Sequence, residues 1–183
     1  MKTPPGIVEI FLNPGEHYFG DRHTRIRTLL GSCVAISLWH PRRLISGMCH
    51  YLLPGRAGDR AQAFDGRYAD EALLLLIGQL TRAGTRLQEY EVKMFGGGNM
   101  FPHGPYRPAR SGDTHVGRKN ALAGRELVRR HGMQAKGEDL EGAGHRCVMF
   151  DLWSGDVWVK HVALPTTPAR RDPHEETSTC LGG

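Results

Sequence analysis

Between residues 29 and 54 the chain carries two apolar segments, LLGSCVAISLW and LISGMCHYLLP, on either side of the polar HPRR. Aliphatic runs of this length around a proline-containing break predict two strands of an antiparallel hairpin. A hairpin fixes which residues face each other. With the turn centred between Pro41 and Arg42, Cys33 opposes His50 on one face of the ladder, and Cys49 turns to the other face opposite Val34. Directly opposed Cβ atoms lie roughly 4.5–5.5 Å apart, so a thiol and an imidazole placed this way touch. A one-residue slip of register reverses the assignment.

Other segments supply a frame for that hairpin. IVEIFL (7–12) alternates as a first strand, and a loop through NPGEHYFGDRHT follows. YADEALLLLIGQLTRAG reads as a largely buried helix, with Asp70 and Glu71 in its first turn and Gly84 at its end. YEVKMF (90–95) alternates as a strand, and residues 101–116, rich in Pro, Gly and Arg, read as a loop. GRKNALAGRELVRRHG has the pattern of an amphipathic helix, with Arg129, Arg130 and His131 in its last turn and Gly132 as its stop. CVMFDLW and VWVKHVAL flank the turn residues SGD as a hairpin. Together these predict an α+β domain over residues 1–164, with six or seven strands and two main helices in layers. Residues 165–183 have almost nothing to bury and read as a disordered tail, which holds Cys180.

Bulk properties narrow the function classes. The 183 residues, 39% hydrophobic and 23% charged, suit one soluble domain. No apolar run approaches the roughly 20 residues that span a bilayer, and MKTPPGIVEIFL is a poor export signal. Four cysteines without paired spacing then read as free thiols of a reducing cytoplasm. The net charge of +5 comes from scattered arginines, with no sustained basic run or interleaved aromatics to mark a nucleic-acid interface. Ten histidines without HxxxH or HExxH spacing, and no CxxC, argue against a metal site.

Three places in the sequence can carry chemistry, and each has a plainer reading. Cys33 is either a small buried hydrophobe or a nucleophile. An unperturbed thiol is only a few per cent thiolate at neutral pH, so catalysis needs His50 beside it. Gly31 and Ser32 would let a substrate approach, with the amides around Ser32 and Cys33 stabilising an oxyanion. FGGGNM, with Gly96, Gly97 and Asn99, lacks the Walker lysine and the GxGxxG spacing. It reads as a tight close-packed turn or as a backbone-lined substrate pocket. HVGRKN opens the second helix, where Arg118 and Asn120 are either solvated first-turn residues or receive a polar substrate group.

In chain order, LLGSCVAISLWHP, SGMCHYLLP, RYADEALLLLIGQL, EVKMFGGGNM, HVGRKN and the last hairpin with SGDVWVK resemble the chemoreceptor glutamine deamidase family, CheD, over roughly residues 7–162. The resemblance implies an α/β/β sandwich similar to bacterial toxin deamidases. It implies Cys33 as nucleophile, His50 as its base, and no cofactor. The implied substrate is a glutamine, or a methyl-esterified glutamate, on the cytoplasmic helices of a methyl-accepting chemotaxis receptor. It also implies an alternative role, docking to a CheC-type phosphatase. The family places a Ser or Thr six residues before the cysteine as the third member; here that position is Arg27, with Thr28 next. Either Thr28 takes the role, or something else orients His50, or activity is reduced; an arginine beside the imidazole would disfavour its protonation.

Overall fold

The computed structural model describes residues 3–56, 63–100 and 115–164. The segment 165–183, Cys180 and most of the 101–116 stretch lie outside the described residues.

Among the described residues, nine strands and two α-helices form: β1 Val8–Phe11, β2 His17–Asp21, β3 Thr24–Leu30, β4 Val34–His40, β5 Ile45–Tyr51, α1 Ala69–Arg82, β6 Glu91–Gly96, α2 Val116–Arg130, β7 Ala135–Leu140, β8 His145–Asp151 and β9 Val157–Val162. The two helices start and stop where their chemistry says. In α1, Asp70 and Glu71 occupy the first turn, Arg82 the last, and Gly84 leaves the helix at φ +68°. In α2, His115 caps the start by accepting the Arg118 amide N–H on Nδ1 at 3.2 Å, and Gly132 stops the helix at φ +69°.

The strands make two sheets, ordered β1-β3-β8-β9 and β2-β5-β4-β6-β7. Most pairings are antiparallel; β1 with β3 and β6 with β7 run parallel. Two cores separate three layers. On one face of the five-stranded sheet, Val34, Ile36, Leu38, Cys49 and Tyr51 pack against Leu73, Leu76 and Leu80 of α1 and Val128 of α2. On its other face, Ala35, Met48 and Phe95 meet Ile26, Leu30, Val148 and Phe150 of the second sheet. The order is therefore helices, sheet, sheet, as expected for an α+β sandwich, but with nine strands rather than six or seven. The additional ones are β2, inside the stretch expected to be a loop, and β7, whose AKGEDL carries no apolar alternation. β3 also separates from β4 at Gly31.

The hairpin of β4 and β5 forms with a different register from the one expected. Ala35, not Cys33, opposes His50, and Ile36, not Val34, opposes Cys49. The cause is the turn. It takes four residues, Pro41 to Leu44, with Leu44 at φ +51° and its N–H on the His40 carbonyl, so its centre falls between Arg42 and Arg43. The ladder thereby slips by two positions. Since side chains alternate with period two, this slip preserves faces.

Candidate functional site

Strand β3 alternates strictly. Thr24, Ile26, Thr28 and Leu30 point between the sheets, while Arg27 and Leu29 point outward. Arg27 therefore lies on the outer face, where its Nη1 is 2.9 Å from Glu9. It does not stand beside the imidazole. Thr28 does: its buried hydroxyl is 2.9 Å from His50 Nδ1 and 2.7 Å from the Leu12 carbonyl.

These two distances settle the tautomer. A hydroxyl has one proton, and a carbonyl can only accept, so Thr28 donates to Leu12 O. The imidazole must then donate Nδ1–H to Thr28 Oγ1, which leaves the lone pair on Nε2. That atom is buried and, among the described residues, has no hydrogen-bond partner. The backbone of His50 is held as firmly: its N–H donates to Glu16 O at 3.0 Å, and its carbonyl accepts from Gly15 N–H at 2.7 Å. Leu12 and Gly15 contribute backbone atoms, whose residue types carry no signal of the role, while Glu16 adds a side-chain charge that favours the protonated imidazole.

Cys33 sits one residue before β4 and is half-buried against the inter-sheet core, on the same face as His50. The thiol and the imidazole are diagonal rather than directly opposed, a relation that separates backbone positions by about 7–8 Å and stays within reach of longer side chains. Burial pushes the Cys33 thiol up, offset in part by its own backbone N–H. Burial also pulls His50 down to about 4. Both shifts favour the neutral forms of the two groups. A neutral imidazole with a free Nε2 is a base, which suits proton abstraction from a thiol during attack.

The glycine run behind Cys33 is a close-packed corner. Gly97 N–H donates to Cys33 O at 2.7 Å, and Gly98 N–H to Gly31 O at 2.8 Å. Gly96 is at φ +108°, and a Cβ there would meet Cys33 O at 2.2 Å; a Cβ on Gly117 would meet the carbonyls of Gly97 and Gly98 at 2.5 Å. So α2 packs its first turn directly on this corner. Asn99 pairs its backbone with Gly142 and Gly144 rather than with the cysteine loop. Gly31 lies under Met100, and Ser32 is half-buried. Arg118 is exposed and faces Glu141 at 4.0 Å. Asn120, by contrast, is fully buried, and its amide donates to Ser32 O at 2.9 Å and Leu52 O at 2.7 Å. The structure therefore gathers Cys33, His50, Thr28, Gly31, Ser32, Gly96, Gly97 and Asn120 at one end of the five-stranded sheet. It leaves Arg118 on the outer side of α2.

Residues 52–161 match the family model described as CheD, chemotactic sensory transduction. Over 182 residues the chain is 51% identical to a "probable chemoreceptor glutamine deamidase CheD" of Pseudomonas savastanoi pv. phaseolicola, covering 100% of this chain and 99% of that protein. A protein of the same name from Pseudomonas fluorescens is 46% identical over 183 residues, covering 100% and 99%. A similarly named protein of Leptospira interrogans is 37% identical over 160 residues, covering 86% of this chain and 95% of its own.

Proposed function

The chain belongs to the CheD chemoreceptor glutamine deamidase family, and we propose that the deamidation it performs on receptor glutamines runs through Cys33, His50 and Thr28. In this reading His50 Nε2 takes the thiol proton as Cys33 Sγ attacks the carboxamide carbon. The tetrahedral oxyanion collapses, the C–N bond breaks, and ammonia leaves with the proton from Nε2. Water then gives a proton to Nε2 and attacks the thioester; the sulfur leaves and recovers its proton, and the glutamine has become glutamate. One water is consumed and one ammonia released. Thr28 touches no reacting atom, and its part is to hold the imidazole with the Nε2 lone pair free on the face shared with Cys33. The backbone amides around Ser32 and Cys33 are the nearest donors for the oxyanion.

The observation that carries the reading is the chain Leu12 O, Thr28 Oγ1, His50 Nδ1, which leaves an unpartnered Nε2 on the face shared with Cys33. The partner is the chemoreceptor, and the reaction belongs in the cytoplasm, where receptor helices carry such glutamines; among the described residues no helix is long and apolar enough to cross a membrane. The test is mass spectrometry of a receptor cytoplasmic fragment after incubation. Wild-type protein converts glutamine to glutamate, and Cys33→Ala and His50→Ala do not, although both fold. Receptor binding without ammonia release by the wild type would favour a docking module instead.

A further inference from the structure

The β4–β5 ladder ends at Val34 and Tyr51, one residue short of the nucleophile on β4. Continuing its register places Leu52 opposite Cys33. At this position the amide N–H of Leu52 turns away to Arg67 O, at 3.0 Å. What spans the gap is a side chain from the helical layer. Asn120 is fully buried, and its Nδ2 donates one hydrogen to Ser32 O at 2.9 Å and the other to Leu52 O at 2.7 Å. Its Oδ1 is buried and has no partner among the described residues. The amide is thus held for its two hydrogens alone, at the cost of an unsatisfied oxygen, an arrangement that plain helix packing does not require.

We propose that Asn120 is the positioning residue of the oxyanion donor: by gripping Ser32 O, it fixes the Ser32–Cys33 peptide so that the Cys33 N–H faces the oxygen on which the negative charge develops. The proposal rests on the reading of Cys33 as nucleophile. A trans peptide points its C=O and N–H in opposite directions, and the chain has no cis bond among the described residues. Drawing Ser32 O toward α2 therefore turns the Cys33 N–H away from α2, toward its own sulfur. In line with that orientation, the Cys33 N–H offsets part of the burial that pushes its own thiol up. On the far side of the same residue, Gly97 N–H holds Cys33 O at 2.7 Å. Both peptide planes around the nucleophile are pinned from outside, and one of the two pins is a replaceable side chain.

Removing a donor aligned on an oxyanion costs catalysis on the order of a hundredfold or more, without a matching loss of substrate binding. Four variants, Asn120→Ala, Asn120→Ser, Val128→Ala and Cys33→Ala, are compared with the wild type in steady-state ammonia release from a receptor cytoplasmic fragment, each normalised to its folded fraction. Asn120→Ala lowers kcat about a hundredfold and moves KM less than about threefold. Asn120→Ser, which keeps one donor, falls between the two and serves as the reading variant should the alanine protein not fold. Val128→Ala, in the core face of the same helix, lowers the melting temperature and leaves kcat within about twofold. Alkylation of Cys33 by iodoacetamide proceeds in Asn120→Ser at near wild-type rate, since alkylation builds no oxyanion. A kcat in Asn120→Ser equal to that of Val128→Ala overturns the proposal, with Cys33→Ala inactive showing that the thiol reading still stands. Activity in Cys33→Ala would instead remove that reading, and the proposal with it.

Discussion

Thr28 is held by two partners that cannot both accept its single proton, and this is why its hydroxyl, not merely its bulk, matters. Thr28→Val keeps the shape and removes the oxygen, leaving Nδ1–H only the Leu12 carbonyl at 3.5 Å. A buried donor without a proper partner costs about 1–3 kcal/mol, so kcat in ammonia release falls about ten- to a hundredfold, while Thr28→Ser stays near wild type. Equal rates in Thr28→Val would show that His50 needs no anchor. The neutral resting pair has its own signature. With His50 drawn down to about 4 and the Cys33 thiol pushed up by burial, iodoacetamide alkylation rises with pH through and above the ordinary thiol range. An imidazolium–thiolate pair would give a plateau reaching into acid, and that plateau would contradict the neutral pair. Thr28 was legible in TRIRTLL, where alternation puts Thr28 inward and Arg27 outward; counting residues back from the cysteine obscured it, because the face of the strand decides the contact. The tautomer was not legible, since it depends on the carbonyl of Leu12, and a carbonyl is the same in every residue.

At the scale of elements, the site depends on how closely α2 approaches the end of the five-stranded sheet. Gly117 stands 2.5 Å, measured from its absent Cβ, from two carbonyls of the glycine run. No side-chain rotation relieves a clash with backbone oxygens. Gly117→Ala therefore pushes α2 away, carries Asn120 with it, and costs about 1–3 kcal/mol by overpacking; urea titration reads the loss of stability and ammonia release the loss of rate. Gly78 is the contrast. It lies inside α1 with nothing within 4 Å of an added Cβ, so Gly78→Ala gains about 0.4–1 kcal/mol with unchanged activity. The helices were legible because each met a glycine stop, α1 after a long apolar run behind an acidic first turn and α2 after an amphipathic pattern with a basic last turn. Strand β7 was not, because AKGEDL forms by pairing alongside β6 rather than by burying an apolar face of its own. Strand β2 was hidden for a related reason: all of it is only partly buried or exposed, so HYFGD shows no clean period.

For the molecule as a whole, the base belongs to neither sheet alone: β5 carries the imidazole, β3 the hydroxyl that orients it, and the end of β1 the carbonyl that orients the hydroxyl. The order of the layers was legible from the sequence, whereas the register that brings these three atoms together was set by a four-residue turn whose length was not. Placing a histidine between two packed sheets ties stability to pH. His50 titrates near its ordinary 6.5 in the unfolded chain and at about 4 when folded, so between these values the unfolded chain binds a proton that the native state refuses. Stability from this group is therefore fully present above pH 6.5 and declines as the pH falls toward 4, by up to about 3 kcal/mol at 1.36 kcal/mol per unit. His17, lowered in the same direction by burial, adds to the decline. The carboxylates held low by arginines, Asp65 and Glu126 at about 2, lose their ion pairs at lower pH, beneath most of this window. Urea unfolding at pH 7.5, 6.5, 5.5 and 4.5 is expected to show wild-type stability falling across the series and a much flatter course for His50→Ala, even though that variant starts out less stable. If both proteins lose stability in parallel, the acid sensitivity comes from elsewhere and the imidazole is not kept neutral by its burial between the sheets.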